Sequence, residues 1–129
     1  MTPKKSFTWN QRLQSFRHAF RGIGTMLVSQ HNAWIHLAAT LFVFVLGAYF
    51  HLSRMEWCAV ALAVVSVWVA EAFNTALEFL ADAVSPERHP LVGKAKDVAA
   101  GGVLIAAIGA VAVGLLIFGP HLLGWTCGL

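Results

Sequence analysis

Four polar residues interrupt an apolar run that would otherwise read as a membrane-spanning helix. In "AEAFNTALEFLAD", residues 70–82, Glu71, Asn74, Glu78 and Asp82 follow directly on "WCAVALAVVSVWV" with no helix breaker between. At about 100° per residue they fall near 0°, −60°, −20° and +20° on a helical wheel, with Thr75 beside them near +40°. They form one polar stripe on a helix whose other positions, including Phe73, Leu77, Phe79 and Leu80, are apolar. Three carboxylates on one face repel one another unless a cation or a partner lies between them.

Depth separates their roles. If hydrocarbon begins near Met55, about 20 residues of helix reach the far boundary near Ala76. Glu71 then lies roughly 7 Å inside the leaflet, while Glu78 and Asp82 lie at or beyond the headgroups. A carboxylate at the bilayer centre costs about 2.5–3.5 kcal/mol, less toward the interface, so Glu71 is the expensive acid and a functional hypothesis by default. The bland alternative is a hydrogen-bonded acid that only fixes helix packing. The ladder suits a reaction joining a lipid hydroxyl in the leaflet to a phosphate donor in water. The deep carboxylate would accept the hydroxyl proton, and the shallower ones would hold the Mg²⁺ of a nucleoside triphosphate. The segment "SPERHPLVGKAKD" then offers Lys94 and Lys96 to the phosphates. It is not a Walker loop: the first glycine is missing and Ala follows Lys94.

The elements that must carry this stripe follow from composition. With 58% hydrophobic and only 12% charged residues in 129, the chain departs from the soluble globular norm and reads as one integral membrane domain, residues 1–129. Three stretches suffice to span: about 33–51, 55–82 and 98–118, the last twenty-one residues without a charge. The first sits too far into the chain for a cleaved signal peptide. Lys4, Lys5, Arg12, Arg17 and Arg21 precede the first span, and Arg88, Lys94 and Lys96 lie between the second and third. Only Arg54 lies in the short connector, so the positive-inside rule puts the N-terminus and residues 83–97 in the cytoplasm and the C-terminus outside.

Ahead of the spans, about 8–28, Trp9, Leu13, Phe16, Phe20, Ile23 and Leu27 mark one apolar face, with Arg12, Arg17 and Arg21 largely off it. Such a helix lies in the headgroup layer, packs on the bundle, or does both. In the third span Gly102, Ala106, Ala110 and Gly114 recur every four residues, a packing ladder. Three short spans shelter little charge, so a homo-oligomer is expected. Cys58 and Cys127 both fall near the outer face; a disulfide is conceivable, although two unpaired thiols are the commoner case.

Glu71-x-x-Asn74-Thr75-Ala76-Leu77-Glu78-x-x-x-Asp82, followed fourteen residues later by Lys96-Asp97, resembles the prokaryotic diacylglycerol kinase family, which includes undecaprenol kinases. The likeness covers nearly the whole chain. It implies an all-α membrane protein: three transmembrane helices, an N-terminal amphipathic interfacial helix, and a homotrimer with composite sites at the cytoplasmic face of the bacterial inner membrane. It further implies γ-phosphate transfer from MgATP to a lipid alcohol, diacylglycerol first and undecaprenol as the alternative, with Mg²⁺ as cofactor and no nucleic-acid partner. By motif position Glu71 would be the catalytic base and Glu78 a metal ligand. Asn74, Asp82, Lys96 and Asp97, with His89 and Gly93, would surround the nucleotide; a solvated loop histidine is an equal reading of His89.

The pattern is not followed throughout. Phe73 stands where a smaller aliphatic is usual, and Ala81 where Val is. In "SQHNAWIH", residues 29–36, Gln30 occupies the place of a second metal-binding Glu and Trp34 that of an Arg. Gln30 brings a carbonyl but no charge to the metal, or serves packing alone. A different class remains: a small proton-coupled transporter or channel using Glu71. Transport, however, asks for polar groups toward both faces, and the outer halves of the spans lack charge. An accessory lipid-binding subunit would leave the acidic stripe dispensable.

Overall fold

Four helices make up nearly all of residues 7–124, the part of the chain that this computed structural model describes. In chain order they are α1 (Trp9–Ser29), α2 (His31–Tyr49), α3 (Arg54–Val84) and α4 (Pro90–Leu122). The fold is therefore all-helical, and α2, α3 and α4 are each long and apolar enough to cross a membrane. At ~1.5 Å per residue α3 extends roughly 46 Å and α4 roughly 50 Å, against a ~30 Å hydrocarbon layer. Near the membrane normal, each projects turns into headgroups and water, and the polar stripe lies toward one such end of α3. Lys4, Lys5 and Cys127 lie outside the described residues; Cys58 is exposed and has no disulfide partner among the described residues.

Each helix boundary has a local cause. Between α1 and α2 a single residue, Gln30, turns extended (φ −110°, ψ 118°). Its amide closes α1 on the Met26 carbonyl at 3.0 Å, and its own carbonyl accepts from Ala33 at 3.2 Å. Met26 and Ala33 are both buried, so the hinge is clamped on either side. α2 ends in a Schellman arrangement: Leu52 N–H reaches the Gly47 carbonyl (3.1 Å) and His51 N–H that of Ala48 (3.2 Å). His51 takes the left-handed position (φ 54°) that glycine more often fills. A capping box then starts α3, with Ser53 accepting from Glu56 N–H and the Glu56 carboxylate accepting from Ser53 N–H.

α3 stops at Val84 because Ser85 precedes Pro86, and the residue before a proline is pushed out of the helical region. α4 starts at Pro90, whose fixed φ suits a first helical position, and the His89 ring nitrogen caps it by accepting from Leu91 N–H at 3.2 Å. The α3–α4 turn is thus only residues 85–89. Residues 90–97, placed by composition in a connector of residues 83–97, are instead the first turns of α4. Polar composition marked the exit from the bilayer, not the end of the helix, and Lys94 and Lys96 project from a helix.

α3 and α4 form the most extensive pairing, with α2 against α3 and α1 resting on α2 and α3. Leu52, Val60, Ile117 and Phe118 make the core at the end remote from the stripe, with Phe50 and Trp57 packed against them. There Glu56 in the first turn of α3 meets His121 in the last turn of α4, Oε1 to Nε2 2.9 Å, and the His121 ring stacks on Phe50. Along α1, Trp9, Leu13, Phe16, Phe20 and Ile23 stay exposed, so the chain's own helices do not cover that face.

Gly47 is required by close approach. A Cβ there would sit 2.7 Å from the Trp57 ring, itself stacked on Phe44, and 3.0 Å from Leu52. Gly47→Ala is expected to destabilise by about 1–3 kcal/mol, read as a lower melting temperature of helical circular dichroism in detergent. Gly22→Ala, whose methyl group would meet nothing within 4 Å, should melt at or above wild type. Equal melting of the two variants would mean that the Trp57 ring yields.

Candidate active site

The three acids of the α3 stripe face three different neighbours. Glu71 is fully buried and faces α2, with Oε2 3.4 Å from His36 Nε2. Glu78, half-buried one turn and more further on, faces the α1–α2 hinge. Gln30 Nε2 donates to its Oε2 at 2.9 Å, and Asn74 Nδ2 to its Oε1 at 3.3 Å. Asp82 is exposed and faces α4, where Lys96 Nζ approaches Oδ1 at 3.2 Å. Helical periodicity put the acids in one line; the helices packed around α3 supply each with its own partner. Repulsion within the ladder is met by an imidazole, two carboxamides and an ammonium group.

The innermost contact differs from the others. At 3.4 Å without hydrogen-bond geometry, it leaves both Glu71 carboxylate oxygens and His36 Nε2 with no hydrogen-bond partner among the described residues. Asn74 Oδ1, also buried, is in the same state. Buried polar atoms are nearly always paired, so such a cluster asks for an explanation, a bound ligand among them. Thr75, by contrast, spends its hydroxyl on the Glu71 backbone carbonyl at 2.8 Å.

Beyond the stripe lies an open cavity of about 490 Å³ over the α3–α4 turn, its lining including Asp82, Glu87, Arg88, His89, Gly93 and Lys96. Three of the expected nucleotide contacts besides Asp82 thus converge there: His89, Gly93 and Lys96. A Cβ at Gly93 would meet nothing within 4 Å, so the chain's own packing does not require glycine at this wall. Asp97 is exposed and does not line the cavity. Trp34 is exposed on α2.

Among the described residues no group of three His, Cys, Asp or Glu side chains is placed to hold a metal. Oxygen donors tell a different story for a hard cation. Gln30, Asn74 and Glu78 converge, and turning both carboxamides would present two carbonyl oxygens beside one carboxylate. The amides' present orientation is set by the hydrogen bonds they give Glu78. Mg²⁺ accepts one or two carboxylates plus phosphate oxygens, so this donor set fits it.

Three residues near Glu71 were missed by the sequence reading. His36, Thr40 and Trp68 form a chain: the Trp68 indole donates to Thr40 Oγ1 (3.0 Å), and Thr40 donates to the His36 carbonyl (2.7 Å). The Trp68 ring also stands edge-on to the His36 imidazole, centroids 6.3 Å apart. The available signal was an ionisable residue inside the first span, the same rule that singled out Glu71.

Comparison with known proteins places the chain in context. The family model described as prokaryotic diacylglycerol kinase matches residues 17–118, which include every side chain of the site. An undecaprenol kinase of Bacillus subtilis (strain 168) is 38% identical over 88% of this chain and 92% of its own length. A diacylglycerol kinase of Synechocystis sp. is 39% identical over 86% of this chain but only 64% of its own. A diacylglycerol kinase of Escherichia coli (strain K12) is 30% identical over 82% and 93%.

The 2.9 Å Gln30–Glu78 contact makes a direct prediction. Gln30→Glu replaces a donor with a second carboxylate, and like charges at that distance disfavour the folded state unless a cation joins them. With a metal chelator present the variant should melt several degrees below wild type. Millimolar Mg²⁺ should recover most of the difference while shifting wild type less. Identical melting in chelator would show that the two side chains part freely.

Proposed function

The chain belongs to the prokaryotic diacylglycerol kinase family and is a membrane lipid kinase; from that premise we propose that it transfers the γ-phosphate of ATP, with Mg²⁺, to the primary hydroxyl of a lipid alcohol. The observation that carries this reading is the ladder itself. From buried Glu71 to exposed Asp82 it climbs eleven residues, ~16 Å of helix. That is the kind of interval a phosphoryl group must cross between a water-soluble nucleotide and a hydroxyl held under the headgroups.

Glu71 acts as general base: as the lipid oxygen attacks the γ-phosphorus, its proton passes to the carboxylate, and the bond to the β-phosphate oxygen breaks to release ADP. Lys96, His89 and Gly93 line the nucleotide cavity, with Asp82 holding Lys96 in place, and Asp97 next to Lys96 in sequence would meet the surroundings of the triphosphate. Glu78 with Gln30 and Asn74 would hold Mg²⁺, which neutralises phosphate charge during transfer. Gln30 supplies that set with an oxygen but no charge, so Glu78 is its one carboxylate. The site lies on the cytoplasmic face of the bacterial inner membrane, with the N-terminus inside and the C-terminus outside; the distribution of Lys and Arg supports this orientation.

The active form is a homotrimer in one domain spanning residues 1–129, with α1 in the headgroup layer. The exposed apolar stripe of α1 supports its place at the membrane surface. For the acceptor, undecaprenol is favoured by the relative from Bacillus subtilis, which is matched across nearly its full length at 38% identity. Diacylglycerol, the acceptor expected from the family resemblance, is the second reading.

The test uses purified protein in mild detergent with MgATP and each lipid in turn. Undecaprenol is expected to be phosphorylated in preference to diacylglycerol, and Glu71→Gln to lose about 10²–10⁴-fold in kcat. Gly93→Ala, whose Cβ would meet nothing within 4 Å, should raise KM for ATP without lowering the melting temperature. Phosphorylation of neither lipid by folded protein would sink the acceptor assignment, and full activity of Glu71→Gln would remove Glu71 from the role of base.

A further inference from the structure

We propose that His36 is the positioning residue for Glu71, its imidazole Nε2–H holding carboxylate Oε2 so that Oε1 is left to take the substrate proton. This rests on Glu71 being the general base. A carboxylate with no exposed surface is costly to keep ionised, and it needs at least one donor of its own. From α2 the polar atom within reach is His36 Nε2, 3.4 Å from Oε2. From α3 itself, Thr75 does not serve, because its hydroxyl is committed to the Glu71 backbone carbonyl. Both partners of the contact are otherwise unpaired, so a small approach with the ring N–H turned toward Oε2 would give them a hydrogen bond. A neutral imidazole is enough, provided the proton is on Nε2.

The His36 ring is held in place for this task. Trp68, less than one turn before Glu71 on α3, stands edge-on to it and also holds Thr40, which in turn binds the His36 carbonyl. The same α2–α3 contact therefore aligns the imidazole and the carboxylate together. His36 is not sealed in: 16% of its side chain is exposed, and it lines an apolar groove of about 310 Å³ with Ala39, Thr40, Val64 and Val67. His36 thus touches both the groove and the carboxylate.

The test compares His36→Gln, His36→Asn and His36→Leu with wild type and Glu71→Gln, in the lipid phosphorylation assay and by thermal melting. A Gln amide nitrogen falls about where Nε2 lies; an Asn amide stops near Nδ1. Gln is expected to keep at least about a third of wild-type kcat. Asn and Leu should lose about 10- to 100-fold in kcat with KM for ATP within two-fold, the size of effect that a misplaced reacting group produces. Rescue by Gln but not by Asn is the signature, since a packing role would not separate two amides by reach. Equal kcat for Gln and Asn, wild-type kcat for Leu, or losses that only track melting temperature would overturn the proposal. If Glu71→Gln is inactive while the His36 variants are unimpaired, the base stands and only His36 is withdrawn. If Glu71→Gln is fully active, the base assignment fails and this proposal falls with it.

Discussion

A carboxylate removed from water must be given a partner, and that requirement organises this molecule. α3 brings three acids on one face toward a single end of the bundle, at burial ranging from complete at Glu71 to open at Asp82. No one neighbour could answer all three. α2 approaches Glu71 with His36, the α1–α2 hinge approaches Glu78 with Gln30, and α4 approaches Asp82 with Lys96. The stripe is therefore a meeting line for the other elements. What a partner is worth to each acid differs with burial, because electrostatic interactions are strongest where water is excluded. The exposed Asp82–Lys96 pair adds little stability by itself, as surface ion pairs do.

Two devices at a distance make that convergence possible. At the remote end, the Schellman turn, the capping box and the Glu56–His121 contact tie α2, α3 and α4 together over the Leu52, Val60, Ile117 and Phe118 core. At the near end, the one-residue hinge at Gln30 is clamped by buried Met26 and Ala33. The hinge does two jobs. Its extended backbone lets α1 leave the direction of α2, and the same residue's side chain reaches Glu78. A residue at a break between helices is positioned by backbone geometry on both sides, which suits it to hold a site together.

Gln30 brings an amide, not a second carboxylate, to Glu78. Its amide donates to Glu78, so that carboxylate oxygen has a partner without a cation. A second Glu in that place would demand one.

How much of this was legible in the sequence differs from residue to residue. The solvent, the helical class, the spans and the line of Glu71, Asn74, Glu78 and Asp82 follow from composition and a 3.6-residue period, because both are local properties of the chain. The motif at 71–97 pointed to the family on the same local grounds. Partners across helices were not legible: that Glu71 meets His36, or that Trp68 and Thr40 hold that histidine, depends on how α2 rotates against α3. The start of α4 at Pro90 escaped for a related reason, since charge reports the membrane boundary and not the end of a helix. Sequence alone determined which groups lie on which face and at what depth. Only the tertiary structure decided which of them touch, because rotation and offset between helices are set by packing summed over many residues and by no residue singly.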